Sequence, residues 1–179
     1  LLVFTDKGVA GAGLLDKLLA VLERCGVDYQ VFDELKPEPA YGDVETVVEQ
    51  MNRENGDIII AIGGGSVMDA AKLCSLLKGS DYKVKDLLDN PLLASKQLKT
   101  VMIPTTCGTG SEATCNAIVA IPEEQSKKGI VNAEMIPDYV ILDAQMIAGL
   151  PASIVAATGV DALAHVVECF TSKKATPLS

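Results

Sequence analysis

Two hydrophobic patterns alternate along the chain. Short runs of apolar residues, which are typical of buried strands, alternate with longer segments whose apolar residues recur every three or four positions, as in amphipathic helices. Strands are predicted in "LLVF", "VDYQVFDEL", "DIIIAIGGGS", "KTVMIP" and "PDYVILD". Helices are predicted in "LLDKLLAVLERCG", "VETVVEQMNRENG" and "SVMDAAKLCSLLKG", the last with Ser66 as its N-cap. This order predicts a Rossmann-like parallel sheet with ligands at the carboxyl ends of its strands.

Other segments interrupt this alternation. The sequence "TDKGVAGAG" is expected to be a turn, and the polar "DYKVKDLLDNPLLASKQ" a surface excursion. Near residue 150 the pattern becomes helical, in "PASIVAATGVDALAHVVECFTS", and no strand is predicted after it. We therefore predict an α/β domain over residues 1–149. Residues 150–179 are predicted to begin a second domain, which is helical.

Composition narrows the class of protein. An apolar share of 49% with 4% aromatic residues and 15 glycines suits an α/β fold. The net charge of −9 argues against nucleic acid or an anionic membrane as partner. The apolar runs are short for a bilayer, so we expect a soluble protein. Five cysteines without a C-x-x-C motif fit a reducing, cytoplasmic setting, and Cys107 is notable because it lies in a Gly/Thr loop.

A glycine-rich segment joins the third predicted strand to its helix. Its residues Gly63, Gly64, Gly65 and Ser66 can bring free N–H groups and the helix dipole close to an anion such as a pyrophosphate. The alternative is a tight strand-to-helix turn without a ligand. The segment is neither a G-x-G-x-x-G motif nor a Walker loop. Asp69, one turn into the helix, could face a ribose or be an ordinary acidic residue of the first turn.

Hydroxyl groups follow the next strand, in "IPTTCGTGSEATCN". They belong to Thr105, Thr106, Thr109, Ser111 and Thr114, and hydroxyls are suitable partners for phosphate, ribose and amide groups. Asp6 follows the first strand at the same predicted sheet edge. A carboxylate there can accept hydrogen bonds from an adenosine ribose and repel a 2′-phosphate, which favours NAD over NADP.

The only histidine of the chain lies four residues after an aspartate on the last predicted helix. Asp161 and His165 therefore share one helix face, a spacing found among metal ligands. The alternative is an ordinary helical aspartate with a half-buried histidine.

Taken together, "GGGSVMDAAK", "IPTTCGTGSE" and "VILDAQMIAGLPASIVAATGVDALAHVVE" resemble the iron-containing, or group III, alcohol dehydrogenase family. The resemblance implies that Asp6 binds the adenosine ribose, that Gly63 to Ser66 bind the pyrophosphate, and that Asp69 lies near the nicotinamide. It further implies cofactor contacts for Thr105, Thr106, Thr109, Thr114, Lys127 and Leu142. Asp161 and His165 match two metal ligands of the family. Because that metal is part of the family's catalytic centre, the resemblance also implies that these two residues are catalytic.

The resemblance also implies that residues 1–149 are a dinucleotide-binding domain and that residues 150–179 begin an all-helical metal-binding domain. It implies a reaction as well. An alcohol and its aldehyde or ketone are interconverted by hydride transfer with NAD, or alternatively NADP, and with Fe²⁺, Zn²⁺ or another divalent metal. A homodimer or higher homo-oligomer is expected. The family takes two further histidines from later helices, and none follows His165, so the chain resembles an amino-terminal fragment that also lacks the first strands. Two alternatives stay open: a metal-independent reductase of the maleylacetate type, and a nucleotide-binding module without catalysis.

Overall fold

A computed structural model describes residues 1–177 of the chain. The strands in this part are β1 Leu2–Phe4, β2 Gln30–Phe32, β3 Ile58–Gly63, β4 Lys99–Pro104, β5 Asn116–Ile121, β6 Ser126–Val131 and β7 Tyr139–Val140. Five of them form a sheet in the order β2-β1-β3-β4-β7, and every pair in it is parallel. β5 and β6 form a separate antiparallel hairpin. The predicted Rossmann-like parallel sheet is thus confirmed.

Six α-helices accompany the strands in the described chain. They are α1 Lys7–Gly11, α2 Asp16–Arg24, α3 Tyr41–Met51, α4 Gly65–Leu77, α5 Val84–Asp89 and α6 Ala152–Thr171. Side chains alternate between the two faces of the sheet, as the period of a strand requires. Leu2, Phe4 and Ile59 pack on the face that α3, α4 and α5 cover, whereas Val3 and Ile60 face α1 and α2. Helix α4 is the most buried of the helices, with every residue from 67 to 77 inside the core.

Four local features differ from the sequence prediction. The predicted turn after β1 contains α1, because the Asp6 carboxylate caps the N–H groups of Gly8 and Val9. The predicted surface excursion contains α5, which buries one apolar face in the core. The hairpin β5–β6 was not predicted, because its second strand, "SKKGIV", is mostly polar and exposed. The N-cap of α4 is Gly64 rather than Ser66, which lies inside the first turn.

Helix α6 differs from the other helices in its exposure. Among the described residues it is the one helix long and apolar enough to cross a membrane, with a mean hydropathy of 1.4 and none of that stretch buried. The apolar runs were expected to be short for a bilayer, and α6 meets the criteria for a span by length and composition only. A single such helix is weak evidence for a membrane segment, and this one carries Asp161, His165 and Glu168. The domain boundary between residues 149 and 150 stays a prediction.

Candidate cofactor-binding site

A cleft of about 1110 Å³ lies at the carboxyl ends of β1, β3 and β4, where a parallel sheet places its ligands. Four segments that follow strands form most of its wall, and the beginning of α6 closes one side. The lining includes Asp6, Lys7, Asp33, Glu34, Gly64, Gly65, Ser66, Val67, Thr105, Thr106, Thr109, Met146, Ile154 and Thr158. Seven of the twelve predicted cofactor residues are among them: Asp6, Gly64, Gly65, Ser66, Thr105, Thr106 and Thr109.

The glycine segment presents the amino end of α4 to the cleft. Gly64 is the N-cap of this 13-residue helix, and no side chain of the described residues caps it. The first N–H groups of α4 are therefore available to an anion, with the helix dipole adding to the attraction. Gly64 has φ −80°, so its conformation does not itself require glycine. Its lack of a side chain leaves the space in front of the N–H groups open.

Gly63 contributes to this site indirectly. It is the last residue of β3 and does not line the cleft, but a Cβ there would come within 2.6 Å of the Cβ of Val67. Glycine is required because the end of β3 and the first turn of α4 pack against each other at this point. Gly63 thereby allows the sharp turn that places Gly64 and Gly65 at the cleft.

A threonine loop, residues 105–110, lies opposite the glycine segment. Thr105 anchors it to β3 by donating its N–H to the carbonyl of Gly63 at 3.0 Å. Thr109 packs on Gly65, where a Cβ would lie only 2.9 Å from the Thr109 methyl group. At Gly108 a Cβ would lie 2.4 Å from the carbonyl oxygen of Thr158, so this loop also touches α6. The loop is therefore held between the amino end of α4 and the cleft side of α6.

Carboxylates gather at the end of the cleft next to β1 and β2. Asp6 lies there, but its Oδ1 already accepts the N–H groups of Gly8 and Val9 at 2.8 and 2.9 Å. Asp33 and Glu34 line the same end and were missed by the sequence analysis. They follow β2 as Asp6 follows β1, and this shared position is the signal that could have found them. Lys7 and Lys36 line this end as well, and Lys7 pairs with Glu34 at 3.5 Å, so the carboxylates are partly balanced by positive charge.

Asp69 and Thr114 occupy a different place from the one expected. Their side chains do not line the cleft; they join a buried cluster centred on Lys72. Burial lowers the pKa of the Lys72 ammonium group, and the adjacent Asp69 carboxylate opposes that effect. The sequence signal for this cluster was a lysine three residues after an aspartate in the mostly apolar segment "VMDAAKLCSLL", which indicates a buried charge with a partner.

The other predicted cofactor residues lie at the margin of the cleft or beyond it. Ser66 accepts the N–H of Glu38 on its hydroxyl at 3.1 Å, which ties the segment after β2 to α4. Lys127, on β6, pairs with the carboxylate of Glu38 at 2.6 Å and remains about half exposed. Leu142 is 74% exposed and lies outside the lining, because the chain leaves the sheet after β7. Lys127 is thus connected to the cleft through Glu38, which bonds to the cleft residue Ser66.

Asp161 and His165 are neighbours on α6, as predicted. The His165 Nε2 lies 3.6 Å from the Asp161 Oδ1, and both side chains are substantially exposed. Their oxygen and nitrogen donors suit a divalent transition metal in kind. Within residues 1–177, however, no group of three or more potential metal ligands is present. The described residues therefore offer two donors, whereas such a metal usually takes four or more.

Fold and site together define an α/β domain of the Rossmann-like class, with an uncapped helix terminus at the carboxyl edge of a parallel sheet. Comparison with known proteins identifies the family within this class. The family model for iron-containing alcohol dehydrogenases matches residues 1–144. The chain belongs to the iron-containing alcohol dehydrogenase family.

Individual relatives agree with this assignment. Alcohol dehydrogenase 4 of Schizosaccharomyces pombe is 36% identical over 99% of the chain, and the match covers 42% of that protein. An iron-containing alcohol dehydrogenase from Thermotoga maritima superimposes with a TM-score of 0.90 at 37% identity, covering 99% of this chain and 49% of that one. Sulfoacetaldehyde reductase from Bifidobacterium kashiwanohense, solved in complex with NAD⁺, gives a TM-score of 0.88 at 29% identity, covering 98% and 46%. The chain thus spans about half the length of these relatives.

Proposed function

We propose that this chain supplies the cofactor-binding part of an NAD-linked oxidoreductase that interconverts an alcohol and its aldehyde or ketone. The observation that carries the proposal is the cleft at the amino end of α4, where Gly64 and Gly65 offer uncapped N–H groups opposite the threonine loop. Membership of the alcohol dehydrogenase family, and the NAD⁺ complex of a structural relative, support the cofactor and the reaction class.

Different residues of the chain are proposed to bind different parts of the dinucleotide. In the proposed arrangement, the N–H groups at Gly64 and Gly65 bind the pyrophosphate, because they combine free donors with the positive end of the helix dipole. The carboxylate of Asp6 accepts from the adenosine ribose, and Thr106 and Thr109 offer hydroxyls opposite the phosphate groups. Binding fixes the cofactor so that its reactive ring is held in one position for hydride transfer.

Asp161 and His165 are proposed as two metal ligands of the intact protein. A divalent metal ion held by these two residues and by further ligands would supply Lewis-acid chemistry toward the substrate oxygen. Thr158 lies one turn before Asp161 and lines the cleft, so the helix that carries the two donors also borders the cofactor site. Homo-oligomer formation and cytoplasmic location stay predictions.

Calorimetric titration of the chain with NAD tests the cofactor site. Gly64→Val fills the space in front of the helix terminus and should weaken NAD binding at least tenfold, about the effect of losing one charge-assisted hydrogen bond. Gly129→Val is the matched control, since Gly129 is an exposed strand residue with nothing within 4 Å of a Cβ and lies outside the cleft. Absence of NAD binding by the unmodified chain, or equal affinities for both variants, would refute the proposed site.

A second candidate is a nucleotide-binding module without catalysis. The observation that favours it is that only two metal donors come together in the described residues. An assay of NADH formation from a simple primary alcohol, with added Fe²⁺ or Zn²⁺, separates the two. Turnover that is lost in His165→Ala would support the oxidoreductase, whereas NAD binding without any turnover would favour the module.

A further inference from the structure

A cluster of polar side chains is buried between α4, the end of the threonine loop and β5. At its centre Lys72 is 0% exposed, and its ammonium group has three hydrogen-bond donors. Nζ donates to the Asp69 Oδ1 at 3.1 Å, to the Thr114 Oγ1 at 3.1 Å and to the carbonyl of Asn116 at 2.7 Å. All three donors are used inside the protein, so Lys72 has none left for a ligand.

Asp69 extends the cluster to the chain segment that follows the threonine loop. Its Oδ1 also accepts the hydroxyl of Ser111 at 2.5 Å, and its Oδ2 accepts the N–H of Ile118 at 2.9 Å. One carboxylate on α4 therefore holds both the residue directly after the loop and a residue of β5. The side chain that makes the first of these contacts, Ser111, is itself 5% exposed.

The threonine loop is consequently fixed at both ends. At its beginning Thr105 bonds to the carbonyl of Gly63, and at its end Ser111 bonds to Asp69. Ser111 in turn donates its N–H to the Thr109 Oγ1 at 3.3 Å. Thr109 is the residue whose methyl group packs on Gly65, so its place opposite the helix terminus depends on Ser111.

We propose that the buried Asp69–Lys72 pair is a positioning device that holds the threonine loop against the glycine segment through Ser111. Only the expected change in NAD affinity rests on the proposed function; the position of the loop does not. This arrangement gives Asp69 a role that differs from direct contact with the cofactor. A buried ion pair is a poor source of stability compared with apolar packing, which points to geometry as what the pair provides.

The variant Ser111→Ala tests the device, because it removes the link between Asp69 and the loop and leaves the pair intact. Ser75→Ala is the matched control: Ser75 is also a buried serine, but it donates only to the carbonyl of Lys72 within α4, at 2.6 Å. Thr114→Val is a second variant, which removes the link from Lys72 to the same segment. Ser111→Ala and Ser75→Ala each delete one buried hydroxyl, and Thr114→Val deletes a partly buried one, so a purely structural role would not single out Ser111→Ala.

Two measurements on the chain keep the outcomes separate. In the ligand-free protein, the nuclear Overhauser effect between the Thr109 methyl group and the α-protons of Gly65 reports the position of the loop. It should be lost or strongly weakened in Ser111→Ala, weakened in Thr114→Val and unchanged in Ser75→Ala. NAD affinity should fall by about tenfold in Ser111→Ala, the factor that one hydrogen bond supplies, and remain unchanged in Ser75→Ala.

The loop measurement decides the positioning role even if NAD does not bind. An unchanged nuclear Overhauser effect between Thr109 and Gly65 in Ser111→Ala would overturn the inference. An equal loss in Ser111→Ala and Ser75→Ala would also overturn it, because a general loosening of α4 would then explain the result. Loss of the effect in Ser111→Ala alone, in a chain that does not bind NAD, would support the positioning role and refute the proposed function.

Discussion

Two adjacent glycines should respond differently to the same substitution. A Cβ at Gly63 would lie 2.6 Å from the Val67 Cβ, and both atoms are fixed to backbone, so no rotation of a side chain can relieve the clash. The end of β3 and the first turn of α4 must separate instead. A Cβ at Gly64 would lie 3.4 Å from the nearest atom of Thr106, which is an ordinary contact, and its φ of −80° suits alanine.

The structure gives the size of each effect. Gly63→Ala introduces overpacking and should lower the free energy of unfolding by about 1–3 kcal/mol. At roughly 2–4 °C per kcal/mol for a protein of this size, Tm should fall by about 2–12 °C. Gly64→Ala should leave stability unchanged or raise it by about 0.4–1 kcal/mol, because alanine restricts the unfolded chain. Its methyl group nevertheless enters the cleft, so NAD affinity should fall.

Thermal unfolding followed by circular dichroism, together with NAD titration, checks both parts. Gly63→Ala should show the lower Tm, and Gly64→Ala should show weakened NAD binding at an unchanged or higher Tm. Equal Tm values for the two variants would refute the close approach of β3 and α4. Unaltered NAD affinity in Gly64→Ala would show that the amino end of α4 is not where the cofactor binds.

Three further predictions concern cofactor choice, metal and pH. Asp6→Gly should reduce the preference for NAD over NADP, because it removes a carboxylate that repels the 2′-phosphate. Equilibrium titration with both cofactors checks this, and an unchanged ratio of the two affinities would show that Asp6 does not contact the cofactor. The chain should lose added Zn²⁺ on dialysis, because Asp161 and His165 leave most of the coordination shell to water; stoichiometric metal that resists a chelator would contradict this. Burial raises the pKa of Asp138, but hydrogen bonds from Lys96 and Thr100 outweigh it and hold that pKa below its usual 3.8. The stability that these bonds provide is present above pH 3.8 and is lost as the pH falls through the lowered pKa of Asp138. Asp138→Asn should therefore make the free energy of unfolding fall less steeply at acid pH. The same acid dependence in the variant would count against the contact of Asp138 with Lys96 and Thr100.

Much of the architecture could be predicted from the sequence. Five parallel strands were predicted where apolar runs alternate with amphipathic segments, because strands buried on both faces need continuous apolar residues. The glycine segment could be located because it joins a buried strand to a helix, and a parallel sheet brings such junctions to one edge. The same rule placed Asp6 and the threonine loop near it, as the structure does.

The roles of individual polar side chains needed the tertiary structure. Asp69, Thr114 and Ser111 occur in the same motifs as the cleft residues, yet the fold turns them toward Lys72 in the interior. Linear spacing gives the helix face on which a residue lies, but not which neighbouring segment covers that face. Two partners of Asp69, Ser111 and Ile118, are 42 and 49 residues away in the chain, so only long-range packing could bring them to it.

The sequence by itself determined the order of elements, the parallel sheet and the edge at which ligands bind, since these follow from local periodicity and from the handedness of strand crossovers. The tertiary structure decided that Gly63 is needed for packing and Gly64 for open space, and that Asp33 and Glu34 share the end of the cleft with Asp6. It also decided that Asp69 is buried between Lys72 and Ser111. These features depend on distances between segments far apart in the chain, which a one-dimensional pattern of hydrophobicity does not encode.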